Sequence, residues 1–208
     1  MKIAYYTGWT ITRLVSRLVF RIRIYGREHI PNEGGFILAS NHVSYYDPPL
    51  VGSWSTRQMY FLAKKELFKN PIFGSIIRRT NALPVKRGAI DREGLKLCVD
   101  VIKSGYGLVV FPEGTRSRTQ DFLDPKPGVG LLAKTVNCPI VPAYVHGPNR
   151  LKEVFWGRDR MVIVYGPPIP QDWLASVPRG RDGYLTISAE VMKRIAALKA
   201  GFLDRGGV

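Results

Sequence analysis

The sequence predicts an α/β fold: a single domain with a mostly parallel central sheet flanked by helices, plus an N-terminal amphipathic helix suited to a membrane interface. Three observations carry this. Short apolar runs of strand length alternate with amphipathic segments of helical period, the pattern of strands covered on both faces by crossover helices. Clusters of Gly, Pro, Asn and Ser bound most of the runs. The chain has 208 residues, 45% of them hydrophobic, which suits one domain with a sizeable core.

The first element is helical. Ile11, Leu14, Val15, Leu18, Val19 and Ile22 fall at spacings of three and four and make one apolar stripe. Arg13, Arg17 and Arg21 recur every four residues on another face, and Tyr5, Tyr6 and Trp9 precede them. Such a segment suits a helix lying in a membrane interface. It also suits a helix packed on the protein's own core with its arginines in water. Residues 1–24 are expected to form this segment, and residues 25–208 the main domain.

Beyond it, the run at 36–39, between Gly34-Gly35 and Asn41-His42-Val43-Ser44, predicts a buried strand. So do the runs at 59–63, 83–85, 108–111, 140–145 and 161–165. Short helices are expected at 71–78 and 128–136. Residues 91–103 place Leu95, Val99 and Ile102 on one helical face and stop at Gly105. Residues 188–203 close the chain as a helix with Val191, Ile195 and Leu198 on one side. Residues 166–183, rich in Pro, Gly and Arg, predict a loop.

Charge narrows the partners without choosing among them. The 31 Lys and Arg outnumber the 16 Asp and Glu, giving a net charge of +15. That field attracts nucleic acid, anionic lipid, or acidic small molecules and carrier proteins. No nucleic-acid-binding module is recognisable, so no nucleic-acid partner is expected. Cys98 and Cys138 make no disulfide framework and are compatible with a reducing cytosol. No apolar stretch of transmembrane length occurs, and the N-terminal arginines argue against a cleavable signal peptide. Three scattered histidines give no metal constellation, and Gly128 and Gly130 lack the rest of a dinucleotide fingerprint.

In α/β sheets, sites gather outside the carboxyl ends of strands. Three charged clusters fall there. The first holds His42 and Asp47. An Asp that accepts from one imidazole nitrogen fixes the tautomer and leaves the other nitrogen free to take a proton. Pro48 favours a helix start with Asp47 as its N-cap. No Gly-x-Ser-x-Gly accompanies the pair, so the base is suited to a hydroxyl on the substrate. The second cluster is Phe111-Pro112-Glu113-Gly114-Thr115-Arg116-Ser117. Gly114 permits close backbone approach, Thr115 offers a hydroxyl, Arg116 a planar fork for phosphate, and Glu113 would hold an arginine or bind a substrate hydroxyl. The third places Arg87 past another strand, and Lys126 adds charge. Each cluster alone is equally compatible with a solvated turn.

Together the segments resemble the glycerolipid acyltransferase family, of the 1-acyl-sn-glycerol-3-phosphate acyltransferase (lysophosphatidic acid acyltransferase) type. Asn41, His42, Ser44 and Asp47 match its first motif, Leu83-Pro84-Val85 with Arg87 its second, residues 111–117 its third in full, and Ile140-Val141-Pro142 its fourth. Two positions depart from the pattern. Asn81 stands where Gly is frequent but tolerates a left-handed backbone. Lys86 stands where an acidic residue is common.

The resemblance implies a fatty-acyl transfer from acyl-CoA or acyl-ACP to the sn-2 hydroxyl of lysophosphatidate, with His42 as general base and Asp47 orienting it. Arg87, Glu113, Gly114, Thr115 and Arg116 would bind the acceptor, Lys126 would add positive charge, and Pro142 would shape the pocket. No cofactor or metal is implied. The partners would be an anionic bilayer surface, lysophosphatidate and the acyl carrier, and the place the cytoplasmic face of the inner membrane. Alternatives are another lysophospholipid or lyso-aminolipid as acceptor, or a non-catalytic lipid-binding protein of the membrane surface.

Overall fold

In the computed structural model, residues 2–85, 92–119 and 121–204 are described. The elements run α1 (Lys2–Leu18), β1 (Arg23–Tyr25), β2 (Phe36–Ser40), α2 (Asp47–Ser53), β3 (Met59–Lys64), α3 (Pro71–Arg79), β4 (Ala82–Val85) and α4 (Arg92–Lys103). They continue through β5 (Gly107–Val110), α5 (Gly128–Val136), β6 (Ile140–His146), α6 (Leu151–Phe155), β7 (Val162–Tyr165), α7 (Gln171–Ser176) and α8 (Arg181–Leu203). The sheet has seven strands in the order β1-β7-β6-β2-β5-β3-β4. All neighbours are parallel except β6 and β7. The expected α/β fold with a mostly parallel sheet is the observed one.

The central strands are apolar throughout because both faces are covered. Ile37, Ala39, Leu108 and Val110 point to one face, under Cys98 and Ile102 of α4, Leu132 of α5, and Ile187, Val191 and Ile195 of α8. Phe36, Leu38 and Val109 alternate to the other, under Leu50 and Val51 of α2, Trp54 and Val154 of α6. Asn81 takes φ +66 and donates to the carbonyl of Met59, so the left-handed turn ahead of β4 is kept.

Four sequence expectations change. The N-terminal helix ends at Leu18; Arg21 has φ +51, and Ile22 turns into the core. Its arginines also do not share one solvated face. Arg13 lies inward, donating to the carbonyls of Ser53 at 2.6 Å and Ser55 at 3.0 Å and covering the Trp9 ring. The stretch 166–183 contains α7 and the start of α8, which begins at Arg181, seven residues ahead of 188. Asp47 is not the N-cap of α2: Tyr46 is, and the Asp47 carboxylate folds back toward the preceding loop.

The inward face of α1 carries Tyr5, Arg13 and Ser16. The Tyr5 hydroxyl accepts from the amide of Met59, and the Trp54 indole donates to Ser16. The apolar stripe of Ile11, Leu14, Val15 and Leu18 is therefore turned outward and stays exposed. Among the described residues no helix is long and apolar enough to cross a membrane.

Candidate active site

The loop after β2 is pinned from three sides. Asn41, buried, donates to the carbonyl of Val145 at 3.0 Å and accepts from its amide at 2.8 Å, so its side chain extends the β2–β6 ladder by one rung. The His42 carbonyl accepts from the Ser117 amide at 2.8 Å, and the His42 amide donates to Glu113 Oε1 at 2.9 Å. The loops after the adjacent strands β2 and β5 are thus locked together.

Asp47 is fully buried, and one oxygen does three jobs. Its Oδ2 accepts from the amides of Val43 and Ser44, each at 2.7 Å, and lies 2.8 Å from His42 Nδ1. An ionised carboxylate only accepts, so the network puts the imidazole proton on Nδ1 and leaves Nε2 with a lone pair. The His42 ring lies on Phe111 with centroids 4.0 Å apart and planes 18° apart, which fixes its orientation.

His42 opens on a cleft of about 1060 Å³ with two unlike walls. One is apolar, built from Tyr5 and Trp9 of α1, Pro48 and Pro49 of α2, and Phe73 and Ile77 of α3. The other is basic and comes from the loop after β5 and the segment leading into α5: Gly114, Thr115, Arg116 and Lys126. Gly114 has φ +65, and a Cβ there would meet the Lys126 chain at 2.9 Å, so glycine lets the lysine lie across the turn. Arg116 lies flat on Tyr45, 3.4 Å from the ring centroid, and its Nε has no partner. Neither Arg116 nor Lys126 is paired with a carboxylate among the described residues. Free cations in such a wall suit an anionic substrate group.

Two of the expected contacts differ. Glu113 does not line the cleft. Its two oxygens accept from the amides of His42 and Leu123, each at 2.9 Å, and burial pushes its carboxyl above the usual range despite those bonds. It braces the two loops. Pro142 also lies off the cleft, buried in β6 with its carbonyl accepting from Gly166 at 2.8 Å. Arg87 and Lys86 lie outside the described residues. Sequence reasoning missed Lys64 and Arg181, which both line the cleft. Lys64 closes β3, so the strand-end rule could have found it; Arg181 had no signal, sitting inside an expected loop.

A second pair, His146 and Asp159, sets off the first. Its Nε2–Oδ1 distance is also 2.8 Å. Here the other ring nitrogen faces the Tyr144 hydroxyl at 3.4 Å, Arg150 pairs with Asp159 at 2.9 Å, and neither residue lines the cleft. Its nitrogens are spent on structure, whereas Nε2 of His42 is not.

The chain is similar to known proteins. A family model described as Acyltransferase matches residues 21–146. A 1-acyl-sn-glycerol-3-phosphate acyltransferase of Bacillus subtilis is 32% identical over 158 residues, covering 76% of this chain and 78% of that protein. One of the same name from Streptococcus pneumoniae is 35% identical over 145 residues, covering 68% of this chain but 53% of its own length. The crystal structure of the 1-acyl-sn-glycerophosphate acyltransferase of Thermotoga maritima superposes with a TM-score of 0.70 at 27% identity, over 96% of this chain and 82% of that one. The matched span holds His42, Asp47 and the whole loop from Phe111 to Ser117, and by this likeness the chain belongs to the acyltransferase family.

Proposed function

We propose that this enzyme transfers a fatty acyl group from an acyl thioester to the sn-2 hydroxyl of 1-acyl-sn-glycerol-3-phosphate, giving phosphatidic acid. The observation that carries the reading is His42, oriented by a buried Asp47 and facing a cleft with one apolar and one basic wall. His42 Nε2 takes the hydroxyl proton as the oxygen attacks the thioester carbonyl, and Asp47 stabilises the imidazolium. The C–S bond breaks and the thiolate leaves, taking the proton back from His42. A thioester is already activated, so the scheme needs neither a metal nor an acyl-enzyme.

Arg116, Lys64 and Lys126, with Arg87 from the family motif, hold the acceptor phosphate, and Gly114 and Thr115 shape the turn beside it. The apolar wall takes the acyl chains. Acyl-CoA and acyl-ACP both fit as donors. The exposed stripe of α1 rests in the bilayer interface as a peripheral or monotopic anchor, on the cytoplasmic face where both donors occur.

The test is thiol release from acyl-CoA and acyl-ACP, with and without lysophosphatidate, for wild type and His42→Ala. Release that depends on the acceptor and falls by at least about a hundredfold in the variant is expected. Acceptor-dependent release that survives in His42→Ala removes the general-base role.

A further inference from the structure

Besides α1, the surface of α3 presents a cluster of large apolar side chains without cover. In α3 and the turn before it, Ile72 is 76% exposed and Ile76 53%, with Leu67 and Phe73 beside them. The side chain of Asn70 caps the helix, accepting from the amides of Ile72 at 3.1 Å and Phe73 at 2.8 Å. Gly74 packs so closely on the preceding turn that a Cβ would meet the Phe68 carbonyl oxygen at 2.7 Å. Arg78 returns to that turn, donating to the Phe68 carbonyl at 3.1 Å and covering its ring. A nine-residue helix held this firmly shows its apolar face by construction.

Its position gives that face a use. Residues Thr80 and Gly8 bring α3 and α1 together, within 3.6 Å of a Cβ built on Gly8. Phe73, Ile77 and Thr80 line the cleft on one side of this seam, Tyr5, Gly8 and Trp9 on the other. The two exposed apolar faces thus flank one mouth of the His42 cleft. Lys69 before the helix and Arg78 and Arg79 in its last turn outnumber the one carboxylate of the preceding turn, Glu66, and α3 itself carries no acidic residue. An apolar patch with a cationic rim matches an anionic lipid surface, with side chains among the acyl chains and cations at the headgroups.

We infer that α3 is a second membrane-inserting limb, so that the bilayer is gripped on both sides of the cleft mouth and a lipid acceptor passes between α1 and α3 without entering water. This rests on the membrane-surface reading above.

The experiment is co-sedimentation with vesicles of phosphatidylcholine and phosphatidylglycerol for wild type and the double variant Ile72→Asp with Ile76→Asp. Neither residue lines the cleft, so thiol release with a short-chain, water-soluble lysophosphatidate serves as the folding control, beside the melting temperature. Vesicle affinity is expected to drop at least about tenfold in the variant, with melting temperature and soluble-substrate turnover kept. Unchanged affinity in the folded variant overturns the inference. So does a wild-type dimer that the variant splits while vesicle binding stays the same, which would make the patch an interface between copies. If the wild type binds vesicles and the variant does not, yet neither transfers acyl groups, the proposed reaction fails and the second limb stands.

Discussion

Asp47 does more than face His42. The same oxygen that meets Nδ1 also gathers the amides of Val43 and Ser44, so the carboxylate shapes the loop as well as the base. Asp47→Asn would keep the size and lose this. If its amide oxygen stays with the two backbone donors it still accepts from Nδ1, but with no charge to stabilise the imidazolium; if it flips, an NH2 group faces three donors. We expect kcat to fall about a hundredfold or more. Activity within tenfold of wild type in single-turnover thiol release would show that the pair is not the catalytic unit. Glu113 separates bracing from binding. Its carboxylate joins the amides of His42 and Leu123 across two loops. In Glu113→Gln one of those amides meets an NH2 group, a buried donor left unpaired at a cost of about 1–3 kcal/mol. The melting temperature should fall by several degrees while KM for the acceptor holds. A rise in that KM with stability unchanged would return Glu113 to the acceptor site.

At the scale of elements, the antiparallel corner of β6 and β7 depends on a buried carboxylate. Asp159 accepts from His146 at 2.8 Å and from the Arg160 amide at 2.7 Å, and it pairs with Arg150 at the start of α6. Phe202 of α8 packs on His146, with ring centroids 5.8 Å apart. Burial works to raise the Asp159 carboxyl, but the hydrogen bonds from His146 and Arg160 and the charges of His146 and Arg150 outweigh it and hold the carboxyl below its usual value. A carboxyl depressed in the folded state stabilises above its unfolded value, near pH 4, and loses that contribution as pH falls through the folded one. Asp159→Asn should therefore melt lower than wild type at pH 7, by about 1–3 kcal/mol of stability, and the gap should shrink toward pH 3. An equal gap at both pH values would mean the carboxylate's charge is idle. The two strands of this corner were legible beforehand, but the pair that holds it was not. His146 and Asp159 belong to no motif, and only the fold makes them neighbours. The central strands were legible because burial on both faces makes them unbroken apolar runs. The edge strand β1 was not: it is three residues long, and Arg23 and Tyr25 face outward. The first turns of α8 hid behind Pro178, Gly180 and Gly183, since Ile187 is the first of its side chains to enter the core. His42, Asp47 and Arg116 could be picked from motif spacing. The off-cleft placement of Glu113 and Pro142 could not, because a buried brace and a binding residue leave the same mark in a sequence.

On the scale of the whole molecule, two forces would hold the enzyme to a bilayer, and they respond differently to salt. The net charge of +15 attracts an anionic surface, at about 1 kcal/mol for each Lys or Arg close to it. This attraction is screened over about 8 Å at physiological ionic strength and over about 3 Å at 1 M. The outward stripe of α1, with Leu14 and Leu18 both more than half exposed, would act by burial of apolar surface, which salt does not screen. Wild type should therefore bind vesicles rich in phosphatidylglycerol tightly at low salt and lose most of that affinity as the salt approaches about 1 M. A residue of binding should survive, and the same residue should appear with neutral vesicles at any salt. Leu14→Asp with Leu18→Asp would cut the surviving part back to what α3 supplies and leave the salt-sensitive part diminished but present. Neither side chain lines the cleft, so turnover of a water-soluble acceptor should continue in that variant. Co-sedimentation across a salt series checks both arms. Wild-type binding that ignores salt would mean the basic surface serves the acidic donor and not the lipid. Binding that vanishes at high salt without the substitutions would mean the α1 stripe does not enter the bilayer.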